Sequence, residues 1–104
     1  MRLTLVLVAA TQVVLGCVHE KRTPHENFVR ALIEIAPGHD IRKDLQFEKY
    51  KQTPLPNGNI EFRLTRRFPP GKNPCSLIYE VDAATYKIVR GRYEGADSDC
   101  VLPQ

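Results

Sequence analysis

The hydrophobic period of this chain changes after Pro37-Gly38, and that change constrains the fold more than any other feature. Before it, apolar side chains recur at helical spacing; the stripe consists of Phe28, Val29, Leu32, Ile33, Ile35 and Ala36. After it, apolar and polar residues alternate, which is typical of strands with one buried face. A helix followed by consecutive strands with short connections predicts an α+β domain.

The segment before Pro37-Gly38 carries the start and stop signals of one helix. Thr23 is a suitable N-cap, Pro24 stands at the first helical position, and Glu26 completes a capping box. Pro37-Gly38 ends the helix. We expect the apolar stripe to face the protein core rather than a cofactor.

The alternating part predicts an antiparallel meander of three or four strands, with the helix packed across one face. The expected strands cover residues 60–65, 75–81 and 86–93. Asn57-Gly58 favours a tight hairpin turn, and the sequence FPPGKNP at 68–74 predicts a loop. An all-β lipoprotein barrel is the alternative, and the capped helix argues against it.

Residues 40–45 allow two interpretations. Asp40 is a suitable cap for a short second helix that contains Ile41 and Leu45. The same residues also fit the lead-in to a strand in which Leu45 and Phe47 share a face.

Residues 1–16, MRLTLVLVAATQVVLG, have the form of a secretory signal peptide, because one basic residue precedes an apolar run. The run is shorter than the roughly 20 residues that a membrane-spanning helix needs. It ends in Val14-Leu15-Gly16-Cys17, which resembles the lipobox of bacterial lipoproteins. The resemblance implies that Cys17 becomes the lipidated N-terminus. Val18 is not the aspartate that retains such lipoproteins in the inner membrane, so the resemblance favours the outer membrane.

This interpretation divides the chain into a signal peptide at 1–16, a tether at 17–23 and one domain at 24–104. Acyl chains on Cys17 would anchor the protein to the membrane. The alternative is a soluble secreted protein that the ordinary signal peptidase cleaves, with Cys17 incidental.

The cysteine count agrees with export. Of three cysteines, Cys75 and Cys100 remain once Cys17 is lipidated, and in an oxidising compartment such a pair normally closes as a disulfide. A metal site would need nearby histidines, whereas all three histidines lie in the other half of the sequence.

The sequence contains no nucleophile elbow, phosphate-binding glycine loop, zinc spacing or calcium loop. We therefore expect a protein that is not an enzyme and has no catalytic residue, metal site or cofactor. Glu94, Asp97 and Asp99 offer oxygens to a cation, but a solvated turn explains them better.

Basic residues suggest one binding surface on this chain of net charge +3. If the strands that carry them are neighbours, Arg63, Arg67, Arg90 and Arg92 form a positive patch on the exposed sheet face. Arg90 and Arg92 share parity with Ile88, however, so strict alternation turns them to the other face. A solubilising surface is the simpler explanation. For an exported protein, an envelope protein or anionic headgroups are better partners than nucleic acid.

Residues 54–100 resemble the sheet region of small bacterial lipoproteins. The runs that carry the resemblance are PLPNGNIEFRL, CSLIYEVD and KIVRGRYEG. Among those proteins, and more distantly, is the helix-and-sheet lipoprotein of the outer-membrane β-barrel assembly complex, the BamE/SmpA type. The resemblance implies an α+β shape and an envelope setting, facing the periplasm, without assigning binding residues.

These features together predict a non-catalytic envelope lipoprotein that acts by protein binding or scaffolding at the membrane. The alternative is a periplasmic inhibitor or immunity-type protein that blocks a hydrolase, with the 68–74 loop as the inserting element. A small hydrolase ranks third.

Overall fold

The structure, a computed structural model, describes residues 22–103. The expectations for the signal peptide at 1–16 and for lipidation of Cys17 lie outside the described residues.

Helix α1 spans Pro24–Val29 and continues as a π-helical turn over Arg30–Glu34. The predicted capping box is confirmed: the Glu26 amide donates to the Thr23 hydroxyl at 3.1 Å, and the Thr23 amide donates to the Glu26 carboxylate at 2.8 Å.

The widened turn at the end of α1 changes which residues face the core. Phe28 and Ala36 of the apolar stripe are buried, and Val29, Leu32 and Ile33 pack against the core, but Ile35 is 53% exposed. The expectation that Ile35 belongs to the core face is wrong, because i→i+5 hydrogen bonding rotates later residues away from the face that an α-helix would present.

Residues 40–50 form two single 3₁₀ turns, Ile41–Lys43 and Phe47–Lys49. Asp40 caps the first, as expected, by accepting a hydrogen bond from the Arg42 amide at 2.9 Å. The strand interpretation is wrong. The Asp44 carboxylate accepts from the Gln46 amide at 2.7 Å and tightens the chain into a turn, which leaves Leu45 99% exposed.

Four strands follow in an antiparallel sheet of order β1-β2-β3-β4. Their bounds are β1 Lys51–Pro54, β2 Ile60–Arg66, β3 Cys75–Val81 and β4 Ile88–Glu94. The hairpin between β1 and β2 turns at Gly58, whose φ of +93° is a conformation that glycine adopts without strain. The predicted α+β architecture is confirmed.

The core lies between α1 and the inner face of the sheet. Phe28 is fully buried and makes edge-to-face contacts with Phe68 and Tyr93, at ring-centroid distances of 5.1 and 5.8 Å. The Tyr79 hydroxyl donates to the Leu32 carbonyl at 2.6 Å and so joins β3 to the end of the helix.

A register shift in β4 decides which side chains leave the core. Val81 of β3 is opposite Ile88, whereas its neighbour Glu80 is opposite Arg90, so Val89 is an extra residue in β4. Ile88 is therefore buried, and Arg90 nevertheless lies on the outer face of the sheet.

The sheet has two distinct ends. The hairpin end consists of the turns at 54–59 and 82–87. The loop end consists of Thr23, the loop at 68–74 and residues 95–103, and Leu102 donates from its amide to the Pro24 carbonyl there at 3.0 Å. Within residues 22–103, no helix has the length and apolar character needed to cross a membrane.

Candidate functional site

The outer face of the sheet, on the side opposite α1, carries charged residues in cross-strand rows. In one row Arg63 of β2 and Arg92 of β4 flank Ile78 of β3. In the next, Glu61 and Arg90 flank Glu80. Glu94 lies one row further, beside Ser76. Three arginines and three glutamates are thereby placed on one surface by strand pairing.

Ion pairs involve all six of these side chains, here called the network: four of them form a closed ring, and the other two form a separate pair. Arg63 donates to Glu94 at 2.9 Å and lies 3.6 Å from Glu61. Arg92 donates to Glu94 at 2.8 Å and lies 3.5 Å from Glu61. The remaining pair joins Arg90 to Glu80. The network fixes side chains that a solvated strand would leave free to change rotamer.

Hydrogen bonds and charges shift the titration of this network. The hydrogen bond from Arg63, followed by that from Arg92, lowers the pKa of Glu94 to about 2. Glu94 in turn raises the pKa of Arg63. Hydrogen bonds from Asn59 and Asn57 are the main cause of a lowered pKa at Glu80. The ionised forms of Glu80, Glu94 and Arg63 are therefore favoured by their neighbours.

A shallow depression of about 220 Å³ lies within the network. Ile78 contributes to its lining, and Glu61, Glu80, Arg90 and Arg92 contribute charged groups around it. Although Ile78 points outward, it is only 3% exposed, because its charged neighbours cover it. The surface thus combines a recessed apolar centre with charged surroundings, a combination that occurs in protein interfaces.

The structure brings together three of the four predicted patch residues and places glutamates beside them. Arg63, Arg90 and Arg92 share the outer face, and each is paired with glutamate, so this face carries both signs of charge and not only the expected positive one. Sequence reasoning missed Glu61, Glu80 and Glu94 as partners. The pairs between strands join residues far apart in sequence. The pairs of Arg63 with Glu61 and of Arg92 with Glu94 were within reach, because residues two apart in a strand share a face.

Arg67 does not belong to the outer face. It follows the last residue of β2, and its guanidinium donates to the Lys72 carbonyl at 2.8 Å. Arg67 is thus part of the loop end.

Cys75 and Cys100 form a disulfide with a Cα–Cα distance of 5.4 Å, so the structure joins the predicted pair. Both residues are at most 1% exposed. The bridge attaches the C-terminal segment to the start of β3, and its burial makes it a structural crosslink.

The 68–74 loop is held by Asp99, which the sequence did not single out for this role. The Asp99 carboxylate accepts from the amides of Lys72 and Asn73, each at 3.0 Å. These hydrogen bonds lower the pKa of Asp99. Gly71 allows the close approach, because a Cβ there would lie 2.7 Å from the Asp99 carbonyl oxygen. The one sequence signal for this role of Asp99 is that Cys100 follows it. A disulfide to Cys75 brings Cys100, and with it Asp99, close to the start of β3 and the 68–74 loop.

His25 joins the start of α1 to the C-terminal segment. Its Nδ1 atom lies 2.8 Å from the Cys100 carbonyl oxygen, and its Nε2 atom lies 3.2 Å from the Tyr93 hydroxyl. That hydroxyl donates to Asp97 at 2.9 Å, which raises the pKa of Tyr93. The cluster contains no nucleophile, and its contacts are those of a structural junction.

Across residues 22–103, no group of three or more histidine, cysteine, aspartate or glutamate side chains is arranged to hold a metal ion. Comparisons with protein-family models, curated proteins and solved structures found no significant match to this chain.

Proposed function

We propose that this protein is a non-catalytic envelope lipoprotein, anchored through Cys17, that binds another protein through the outer face of its sheet. The observation that carries the proposal is the network of three arginines and three glutamates, held by mutual ion pairs around the recessed Ile78.

The network favours binding because its side chains are already fixed. Arginine and glutamate normally lose rotamer freedom when they enter an interface, and ion pairs within the protein reduce that loss. Arginine also retains unused donors after one ion pair, because its guanidinium carries five N–H groups. A partner can accept from those donors while the existing pairs stay in place.

The alternating signs also restrict the partner. A uniformly acidic surface would be repelled by Glu61, Glu80 and Glu94, so the partner should carry both signs in a matching arrangement. An apolar side chain at its centre would fit the depression over Ile78. These requirements favour a protein over a phosphate-rich headgroup at this face.

Photo-crosslinking in intact cells tests the proposal. A crosslinking amino acid at Thr65, which is exposed beside the network, should capture one defined protein. Adding Arg92→Glu should weaken capture about 30-fold, since reversing a charge within an interface costs roughly 2 kcal/mol or more.

Lys87→Glu is the matched control, because Lys87 is exposed at the hairpin end and the same charge reversal there should leave capture unchanged. Equal capture in both variants, or none from Thr65, would contradict the proposed surface.

A further inference from the structure

Two groups of basic residues in the domain differ in their partners. The arginines of the outer face are paired with glutamates. Arg66, Arg67 and Lys72 lie where β2 leads into the 68–74 loop, and no ion pair within residues 22–103 joins them to a carboxylate. Arg66 instead lies over the Phe68 ring, 5.0 Å from its centroid.

Hydrogen bonds from neutral groups of the protein hold the carboxylates around the loop end in place. Asp99 accepts from the loop amides, Asp97 accepts from Tyr93, and Glu26 accepts from Thr23. Asp99 is 7% exposed, whereas Arg66, Arg67 and Lys72 are exposed. Their charges can therefore be reached by an external anion.

The point at which the tether joins the domain, at Thr23, lies at the loop end. Thr23 lines the same cleft as Pro70 and Ser98, so the loop adjoins the point at which the tether enters the domain. Thr23 is six residues after Cys17, a distance of at most about 20 Å even for extended chain. The hairpin end lies a further seven-residue strand away, about 23 Å. A lipid on Cys17 would therefore keep the loop end within reach of the bilayer.

We propose that the loop end is a membrane-contact surface, at which Arg66, Arg67 and Lys72 bind anionic lipid headgroups. This inference rests on the lipid anchor proposed above and adds an orientation: the loop end faces the bilayer, and the outer face of the sheet stays open to a protein partner. Each basic residue near an anionic surface favours contact by roughly fivefold.

A single tryptophan tests this orientation, because the chain contains none. Pro69→Trp places the probe in the exposed loop, and Pro56→Trp places it in the hairpin end. The full lipidated chain is bound to anionic vesicles and to zwitterionic vesicles, and quenching by aqueous acrylamide is measured. Anionic vesicles should protect the probe at residue 69 and leave the probe at residue 56 accessible, and high salt should remove the protection.

Arg66→Gln combined with Lys72→Gln should shift the contact equilibrium about 25-fold toward the free orientation and abolish the protection. Arg67 is kept in this variant because it bonds the loop backbone. Lys43→Gln combined with Lys87→Gln removes the same charge from exposed positions elsewhere and should retain the protection.

Equal quenching of both probes, or protection that does not depend on lipid charge, would overturn the inference. Equal quenching is the result expected if the loop inserts into a hydrolase instead, because the probe at residue 69 would then stay accessible on vesicles. The mass of the same sample reports lipidation of Cys17, so failure of the anchor is distinguished from failure of the orientation.

Discussion

Single side chains connect strands of the sheet that are not neighbours. Arg63 of β2 reaches across β3 to Glu94 of β4, and Arg92 contacts the same carboxylate. The Arg63 side chain is 30% exposed and that of Glu94 is 52% exposed, so solvent weakens each pair, and the contribution of the network comes from several pairs acting together.

The titration of Glu94 tests the network at this scale. Its pKa of about 2 in the folded protein lies below the value of 4.5 for an unperturbed glutamate, so the ionised form stabilises the fold above about pH 5. That contribution is lost as the pH falls from 4.5 toward 2, when Glu94 becomes protonated. Carboxyl carbon chemical shifts should place the Glu94 midpoint near 2.

Arg63→Gln should raise the Glu94 midpoint toward the ordinary value, because it removes the largest cause of the shift. Arg66→Gln, which removes an arginine from outside the network, should leave the midpoint in place. A normal Glu94 titration in the unmodified protein would mean that the pair with Arg63 does not persist in solution.

At the scale of elements, the disulfide fastens the C-terminal segment at 95–103, which contains no helix or strand. Residues 95–103 follow the last strand and are fastened by Cys100, by the bonds of Asp99 to the loop and by the Leu102 amide. The segment in turn positions the 68–74 loop, so the bridge supports both parts of the loop end.

Removing the bridge should therefore destabilise the whole domain. The two cysteines are 25 residues apart, and a loop of that size predicts about 3.5 kcal/mol from chain entropy. Cys75→Ser combined with Cys100→Ser should lower Tm by roughly 15 °C in a domain of this size. Calorimetry of the variant and of the wild type under reducing conditions measures the effect.

Cys17→Ser is the matched control, because it removes a cysteine outside the bridge and should leave Tm unchanged. If thiol titration of the native protein detects two free cysteines besides Cys17, or if the double variant melts with the wild type, the bridge does not contribute as expected.

At the scale of the whole molecule, the proposed anchor, loop end and outer face have separate roles. We propose that the anchor brings the domain to the membrane, that the loop end sets its orientation and that the outer face binds a partner. A tether as short as the one proposed favours this division, because a long flexible linker would let the domain tumble.

Lipidation of Cys17 is the prediction on which this arrangement depends. Mass spectrometry of protein extracted from membranes should show a mature chain that starts at Cys17 and carries added acyl mass. Cys17→Ser should abolish that processing, so that the variant shows no added acyl mass and no chain that starts at residue 17. A soluble chain that begins at Cys17 or Val18 without added mass would contradict the prediction.

Local signals explain what the sequence predicted well. The capping box of Thr23 and Glu26, the turn at Gly58 and the alternation along β2 and β3 each depend on residues close together in the chain. The same local reasoning was wrong for Leu45, where the Asp44 side chain tightens a turn within an apparent strand pattern.

The sequence by itself determined the α+β class, the capped helix and the hairpin turn, because propensity, capping and period act over a few residues. Only the tertiary structure decided which charges meet. One extra residue at Val89 reverses the parity of β4, so that Arg90 and Arg92 lie outside although Ile88 lies inside. Register is set by pairing with β3, and the sequence of β4 taken alone does not show that Arg90 will face Glu80 or that Arg92 will face Glu61.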